Sequence, residues 1–194
     1  VLAIWVGMTI LVSLMKVHVK KDEYLKDARP HQLFWGRYLI FFLLSQIQVL
    51  VIVLGDLYIL KIQCLHPFVF WAVGAMTGLT FSILIYSLTI SFGDIGKALA
   101  VVIMVLQIAG SGGTYPIEAL PGFFRQAYIF FPFPYAINAM RECIGGMYHE
   151  DLFIYLSELS IFIAVALVIG LIIRKPFIRI MHFIEKRMED TDMM

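Results

Sequence analysis

Charged residues are scarce in this sequence, and their scarcity defines the class of protein. Only 15% of the 194 residues are Asp, Glu, Lys or Arg, whereas 61% are hydrophobic and the mean hydropathy is +0.87. A soluble domain is apolar over about half of its residues. Long apolar runs are typical of membrane-spanning helices, whereas a membrane barrel has short alternating segments. The sequence therefore predicts an all-α membrane protein, a bundle of about five transmembrane helices.

Cysteines and the motifs of catalytic sites are scarce as well. Cys64 and Cys143 are too few for a disulfide scaffold, and we interpret them as unpaired thiols, with a bridge between them as the alternative. The five histidines are scattered outside any H-E-x-x-H motif, and no G-x-S-x-G motif occurs. Residues 93–97 lack the first glycine and the Ser or Thr of a nucleotide-binding loop. We therefore predict no enzymatic activity and no bound cofactor or metal, and the net charge of +1 does not indicate nucleic-acid binding.

Five apolar blocks follow one another along the chain. The first, residues 1–15, is apolar from its first position, and basic residues follow it instead of preceding it as in a signal peptide. We interpret this block as the second part of a span, and the chain as a C-terminal fragment of a longer protein. The other four blocks are residues 38–60, 68–91, 97–109 and 153–173.

The basic residues are concentrated in two segments. Residues 16–37 contain six Lys or Arg, and the tail after residue 173 contains five. Because Lys and Arg are enriched on the cytoplasmic side, we expect the first loop and the tail to be cytoplasmic and residues 110–152 to lie outside. Five crossings within residues 1–176 satisfy this arrangement and leave the C-terminus in the cytoplasm. Residues 177–194 are predicted to form an amphipathic helix on the membrane surface, with docking of a partner as the alternative.

The fourth apolar block is interrupted by glycine. Its twelve apolar residues would rise about 18 Å as a helix, less than the hydrocarbon core of about 30 Å. Nonhelical backbone at membrane depth is tolerated only where protein or a water-filled cavity covers it. We therefore predict a short crossing followed by a re-entrant outer hairpin, which prolines divide into short helices. The residues assigned to this hairpin are Gly110, Gly112, Gly113, Pro116, Pro121, Pro132, Pro134, Arg141 and Glu142.

Two further patterns lie inside the apolar blocks. Gly74 and Gly78 form a G-x-x-x-G pair, which lets helix backbones approach closely; we interpret it as packing within the chain, with a second subunit as the alternative. Gln48 and Asp56 are spaced so that both side chains are able to face one side of a helix. An ionisable residue in a spanning helix is a candidate functional site. The alternative is that water solvates Asp56 at the outer interface.

Several short motifs are spread over the second half of the chain. They are Gly93-Asp-Ile-Gly-Lys97, Leu106-Gln107, Gly110-Ser-Gly-Gly-Thr-Tyr-Pro116, Pro132-Phe-Pro-Tyr135 and Arg141-Glu-Cys-Ile-Gly-Gly146. Together they resemble the phage infection protein (YhgE/Pip) family, which is similar to the type-2 ABC exporter permeases. Members of that family have one N-terminal span, a long extracellular region and a C-terminal group of about five spans. The resemblance to this last group covers essentially the whole chain.

The resemblance also implies functions and partners. In type-2 ABC permeases an outer hairpin helps to close the translocation path, and a cytoplasmic loop contacts an ATPase subunit. Residues 110–146 would then be an outer gate. Members of the YhgE/Pip family are surface factors for phage infection of Gram-positive bacteria, and relatives are accessory components of type VII secretion. The residues that would lie in the ATPase-coupling loop are Lys20, Lys21, Arg29 and Arg37.

We therefore expect a permease-like component of export or secretion in the bacterial plasma membrane. It would work as a homodimer by alternating access, with energy from a separate ABC ATPase or another coupled partner. The alternative is a membrane anchor for an extracellular stalk that phage or secretion components bind, with no transport of its own. A third hypothesis is a proton-coupled transporter centred on Asp56.

Overall fold

The structure is a computed structural model, and it describes residues 1–17, 29–113, 121–146 and 150–174. Within these ranges every regular element is helical. The helices are α1 (Leu2–Leu14), α2 (Pro30–Leu54), α3 (Pro67–Phe92), α4 (Asp94–Gly110), α5 (Gly122–Ala127), α6 (Pro132–Gly145) and α7 (Asp151–Val168). Short turns extend or join them: the π-helical turns Gly55–Ile59 after α2 and Ile169–Ile173 after α7, and the 3₁₀ turn Tyr128–Phe130 between α5 and α6.

Three helices are long and apolar enough to cross a membrane by length and composition. They are α2 with its π-helical turn, α3, and α7 with its π-helical turn. The bundle presents apolar side chains outwards, such as Ile47 and Val51 of α2 and Val105 of α4. A soluble protein seldom exposes such an extended apolar surface. The chain is therefore an all-α membrane protein, as its composition predicts.

At one end of the bundle, the end of α1 lies beside the start of α2. Arg37 in α2 donates hydrogen bonds from Nε, at 2.9 Å, and from Nη2 to the backbone oxygen of Lys16, just after α1. At the same end, Ser91 near the end of α3 donates to the backbone oxygen of Ile169 in the π-helical turn after α7, at 3.0 Å. We call this the basic end of the bundle.

The opposite end joins the start of α1 to the second half of α2. The Nε2 of Gln48 in α2 donates to the backbone oxygen of Ala3 in α1, at 2.7 Å. Cys64, in the turn between α2 and α3, contacts Cys143 near the end of α6. We call this the hairpin end. The helices α1, α2, α3, α4 and α7 therefore run alternately between the two ends.

Helix α3 is the centre of the bundle. It packs against α1, α2, α4, α6 and α7. Of the 18 residues in its most apolar stretch, 61% are buried, compared with 28% for the corresponding stretch of α2 and 17% for that of α7. A helix without a wide lipid face tolerates hydroxyl groups, because they bond to backbone oxygens of the preceding turn. Thr77 and Thr89, for example, donate to Val73 and Ile85, each at 2.8 Å. The buried serines and threonines of α3 are Thr77, Thr80, Ser82, Ser87, Thr89 and Ser91.

The turn between α3 and α4 is a single glycine, so that the fourth helix begins at Asp94. Gly93 has φ 59° and ψ −131°, a conformation that favours glycine, and the new helix begins directly after it. Asp94 and Lys97 form an ion pair of 2.8 Å in the first turn of α4. Helix α4 therefore begins three residues before the expected block 97–109. Helix α4 has 17 residues and a length of about 25 Å, still less than the hydrocarbon core of about 30 Å.

The second span also begins earlier than expected. Helix α2 starts at Pro30, where the side chain of Gln32 accepts a hydrogen bond of 2.9 Å from the backbone N–H of Arg29. Arg37 therefore lies inside a helix, not in the cytoplasmic loop 16–37. Several predictions concern residues outside the described ranges: Lys20, Lys21, Pro116 and the amphipathic tail 177–194.

Candidate functional site: the re-entrant hairpin

The segment from α5 to α6 enters the bundle from the hairpin end and returns to it. Near the start of α6, the ring of Phe133 stacks on Phe81 at 5.2 Å and meets Trp5 edge-on at 5.5 Å. Phe81 lies midway along α3, about 21 Å from its first residue. At the other end of α6, Cys143 contacts Cys64 in the turn before α3. Helix α6 therefore climbs from the middle of the bundle to the hairpin end, which is the geometry of a re-entrant hairpin.

The two legs of this hairpin differ in exposure. In the first leg, Phe123 is 67% exposed and Phe130 is 72% exposed. In the second leg, Phe133, Ala136 and Ala139 of α6 are buried against the bundle. Only the second leg is thus built into the core.

The start of α6 has few backbone donors that need a partner. The first four N–H groups of a helix have no acceptor inside it. At α6 two of these four positions are Pro132 and Pro134, which carry no N–H. Phe131 donates to the backbone oxygen of Tyr128 at 3.3 Å, and Phe133 donates to Oε1 of Gln107 in α4 at 3.2 Å. Every donor at the buried start of α6 is therefore satisfied, one of them by a side chain of α4.

The end of α4 is contacted in turn by a side chain of α6. Nη2 of Arg141 donates to the backbone oxygen of Gly112, just past the end of α4, at 3.1 Å. A positive charge is favoured at this position, because helix C-termini carry a partial negative charge. Ile137 of α6 lies against Gly113, with its Cδ1 3.0 Å from the position of a Cβ there. Each helix thus contacts one end of the other. Gln107 of α4 binds the start of α6, and Arg141 of α6 binds the backbone just beyond the end of α4.

A chain of polar groups connects Arg141 to the exposed leg. Nη1 of Arg141 donates to Oδ1 of Asn138 at 3.3 Å, and Nδ2 of Asn138 donates to the hydroxyl of Tyr128 at 3.2 Å. The hydroxyl of Tyr135 donates to the backbone oxygen of Ile129 at 3.1 Å. These contacts make the two legs one unit, which Gln107 and Arg141 attach to α4.

The structure brings some of the expected hairpin residues together and separates others. Gly112, Pro132, Pro134 and Arg141 lie at the junction of α4 and α6, and Gly110 is the buried last residue of α4. Pro121 precedes α5 on the exposed leg. Gly113 lies against α6, and Glu142 follows Arg141 in that helix.

Gln107 is the site residue that sequence reasoning did not select. Its side chain is fully buried, and within the described residues its Nε2 has no hydrogen-bond partner. The signal was an amide in an apolar helix, three residues before the glycine where that helix ends. A buried amide in a membrane helix normally serves a packing or functional contact.

Gly74 and Gly78 are in contact with α2 of the same chain. A Cβ at Gly74 would lie 3.1 Å from Cγ1 of Val49, and one at Gly78 would lie 2.6 Å from Cγ2 of that residue. The contact that the structure shows is therefore intramolecular. It lets α2 and α3 approach closely on the face opposite the lipid.

Gln48 and Asp56 have different surroundings. The Gln48 amide covers Gly7 and donates to Ala3, so that it joins α1 to α2. Asp56 lies in the π-helical turn after α2, half-buried, close in sequence to Tyr58, which is 74% exposed. The polar site at these residues stays a prediction. Within the described ranges, no three His, Cys, Asp or Glu residues form a group that would hold a metal ion.

Arg29 and Arg37 lie at the basic end. Arg29 is exposed before the first turn of α2, whereas Arg37 is half-buried and bound to Lys16. Arg37 therefore holds together the two ends of the loop that contains the other basic residues. Its role in coupling to an ATPase stays a prediction.

Comparison with known proteins identifies the family. The family model described as ABC-2 family transporter protein matches residues 2–172. The chain is 30% identical over 135 residues to the uncharacterized protein YhgE of Bacillus subtilis (strain 168), an alignment that covers 70% of this chain and 17% of YhgE. The chain thus spans less than a fifth of that relative's length, and no solved structure matches it. The resemblance to the YhgE/Pip family is confirmed, and the chain belongs to the ABC-2 family of transporter proteins.

Proposed function

We propose that this chain is the permease part of an ABC exporter and that its re-entrant hairpin is the outer gate. The observation that carries the proposal is the junction of α4 and α6. There α4 ends and α6 begins, and the two helices are joined by two side-chain contacts, from Gln107 and Arg141. Interrupted helices at membrane depth are common at the transport sites of membrane transporters.

The hairpin is suited to move as a unit. Its legs are connected to each other through Tyr128, Asn138 and Arg141, whereas few hydrogen bonds attach the pair to α4. Among the residues that the structure describes, Nε2 of Gln107 has no acceptor, and a buried donor of this kind raises the free energy of the closed arrangement. Both features favour a hairpin that moves relative to α4, a movement that would also separate the ring of Phe133 from that of Phe81 in α3.

The orientation follows from the basic residues. Because α1, α2, α3, α4 and α7 alternate in direction, the basic loop 16–37 and the basic tail belong to the same end of the bundle. Positive segments are retained in the cytoplasm. We infer a multi-pass protein of a bacterial plasma membrane, with five crossings, a cytoplasmic C-terminus and the hairpin outside.

Energy would come from a separate ABC ATPase. Arg37 bonds to Lys16, so that residues 17 and 29, which flank the segment containing Lys20 and Lys21, both lie at the basic end. A positive loop of this kind would dock an acidic surface of an ATPase subunit. A homodimer would provide the two halves of an alternating-access pathway.

Purification of the full-length protein from its own cells, identification of any co-purifying ABC ATPase by mass spectrometry, and measurement of ATP hydrolysis in lipid nanodiscs test this proposal. We expect the ATPase to co-purify, and Lys21→Glu to reduce its recovery more than tenfold. Lys61→Glu, the same charge change at the hairpin end, should leave recovery unchanged. Equal recovery of the ATPase with both variants would overturn the proposal that the loop 16–37 binds it.

The second candidate function is a membrane anchor for an extracellular region, as in a surface factor for phage infection or secretion. The observation that favours it is the small share of YhgE that this chain covers, 17%. An anchor needs no ATPase. If no ATPase co-purifies and phage or secretion phenotypes survive when the spans are exchanged for unrelated ones, the anchor is the function.

A further inference from the structure

The only two cysteines of the sequence meet in the fold. Cys64 and Cys143 are 79 positions apart, and Sγ of Cys64 lies 3.2 Å from the backbone oxygen of Cys143. The surrounding segments are packed together as well, because Cδ1 of Leu65 lies 3.2 Å from the position of a Cβ at Gly146. This contact joins the turn between α2 and α3 to the end of α6.

We propose that Cys64 and Cys143 are a disulfide site that fastens the hairpin to the turn between α2 and α3. The inference rests on the proposed orientation, which places both cysteines on the outer side of the membrane. Disulfides form and persist in that environment, whereas the cytoplasm keeps thiols reduced. The structure shows the reduced pair, in which the Cys64 thiol donates a hydrogen bond to the backbone of Cys143.

The two thiols would have different roles in the formation of this disulfide. Cys64 is half-buried and accessible, whereas Cys143 is fully buried. An incoming disulfide therefore reaches the sulfur of Cys64 more easily than that of Cys143. Cys64 is therefore the thiol that attacks first, and Cys143 is the resolving thiol.

The oxidant is a disulfide, of either an extracellular oxidoreductase or a small molecule. The Cys64 thiolate attacks one sulfur of that disulfide, and the other sulfur leaves as a thiol. Cys143 loses its proton and attacks Cys64 in the mixed disulfide, which releases the second thiol. The two protein thiols are thus oxidised to one disulfide, and the disulfide of the oxidant is reduced to two thiols.

The position of the bond has a consequence for the hairpin. Cys143 lies near the outer end of α6, whereas Phe133 lies near its inner end, beside Gln107. A bond at Cys143 fixes the outer end covalently, whereas the inner end is held by the noncovalent contacts of Phe133 with Gln107, Phe81 and Trp5. The disulfide site would therefore be the pivot of the proposed gate.

The experiment treats the full-length protein in nanodiscs with oxidised glutathione, quenches it in acid and analyses its cysteine peptides by mass spectrometry. In the wild type we expect a linked peptide pair containing Cys64 and Cys143, two hydrogens lighter than the sum of the peptides, and its loss after reduction. In Cys143→Ala, Cys64 should retain glutathione, because no resolving thiol remains. In Cys64→Ala, Cys143 should stay a free thiol.

A wild type that keeps glutathione on Cys64 beside a free Cys143, or that keeps both thiols free, would overturn the proposal. The same analysis on cells quenched in acid tests the orientation, since the linked pair should be present there without added oxidant. A pair that forms only in nanodiscs would overturn the outer location of this site. Neither result depends on an ATPase, so that failure of the permease proposal is measured separately.

Discussion

The two ends of the bundle are held together by different interactions. At the basic end, the rings of Phe34, Tyr38 and Phe41 surround Tyr86 with centroid distances of 5.1, 5.4 and 5.2 Å. At the hairpin end, the contacts between α4 and α6 include single hydrogen bonds from Gln107 and Arg141. Ring packing is shared among many atoms, whereas a hydrogen bond is one discrete contact. The comparison indicates a basic end held by ring packing and a hairpin whose attachment to α4 depends on few hydrogen bonds, although Phe133 also packs on Phe81 and Trp5.

Close backbone approach adds to the rigidity of the basic end. A Cβ at Gly170 would lie 2.6 Å from the ring of Phe34 and 2.7 Å from the hydroxyl of Ser87. The start of α4 approaches α3 even more closely, at Gly96. Helices that pack at this distance have no room for a sliding movement.

One of the two largest effects is expected for a side chain at Gly96. Its Cβ would lie 2.2 Å from the backbone oxygen of Leu88 and 3.0 Å from Cα of Thr89, and backbone atoms do not move aside. We expect Gly96→Ala to lower the free energy of unfolding by about 3 kcal/mol, measured by thermal unfolding in detergent. Gly36→Ala, where no atom lies within 4 Å, should be neutral or slightly stabilising. Equal melting temperatures for the two variants would show that the α3–α4 contact is loose.

The aromatic cluster should give an effect of at least the same size. Tyr86 is fully buried, and its hydroxyl donates to the backbone oxygen of Phe34 at 3.0 Å. Tyr86→Ala leaves a cavity among three rings and should cost about 3–5 kcal/mol, measured by the same unfolding assay. Tyr86→Phe keeps the ring and loses one hydrogen bond, which is worth about 1 kcal/mol. If both variants lose the same amount, ring packing does not stabilise this end.

A moderate and local effect is expected for Gln107→Leu. It leaves the backbone N–H of Phe133 without an acceptor, at a cost of about 1–3 kcal/mol. Hydrogen exchange followed by mass spectrometry should show faster exchange in residues 131–140 and unchanged exchange in α2. Gln46→Leu is the matched control, since Gln46 donates only to Ser45 and to the backbone oxygen of Ala75. Accelerated exchange throughout the bundle would contradict a separable hairpin.

The smallest effect is expected for Arg141→Gln. The side chain is exposed, and contacts of an exposed charge contribute about 0–1 kcal/mol. We expect a change in the melting temperature below that of Gln107→Leu, with hydrogen exchange raised only near Gly112. A loss as large as that of Gln107→Leu would mean that Arg141, not Gln107, is the main attachment.

Composition and local pattern predicted the architecture but not the contacts. The apolar runs and the glycines after α4 were enough to predict an all-α membrane protein with a re-entrant hairpin. The start of α2 was placed too late because Arg37 was read as a loop residue, whereas its guanidinium reaches back to the end of α1. The partner of Gln107 was not predictable, because Phe133 is 26 residues further along the chain and no local period connects them.

Pro132 and Pro134 bear on how often the proposed gate opens. Each ordinary residue in their place would carry an N–H that loses its acceptor when the start of α6 leaves the junction. Every such donor would disfavour the open arrangement by about 1–3 kcal/mol, or roughly 5- to 150-fold in its population. With two donors absent, only the N–H of Phe133 has to be released from Gln107. The two prolines thereby lower the hydrogen-bonding cost of moving the start of α6 out of its contact with α4.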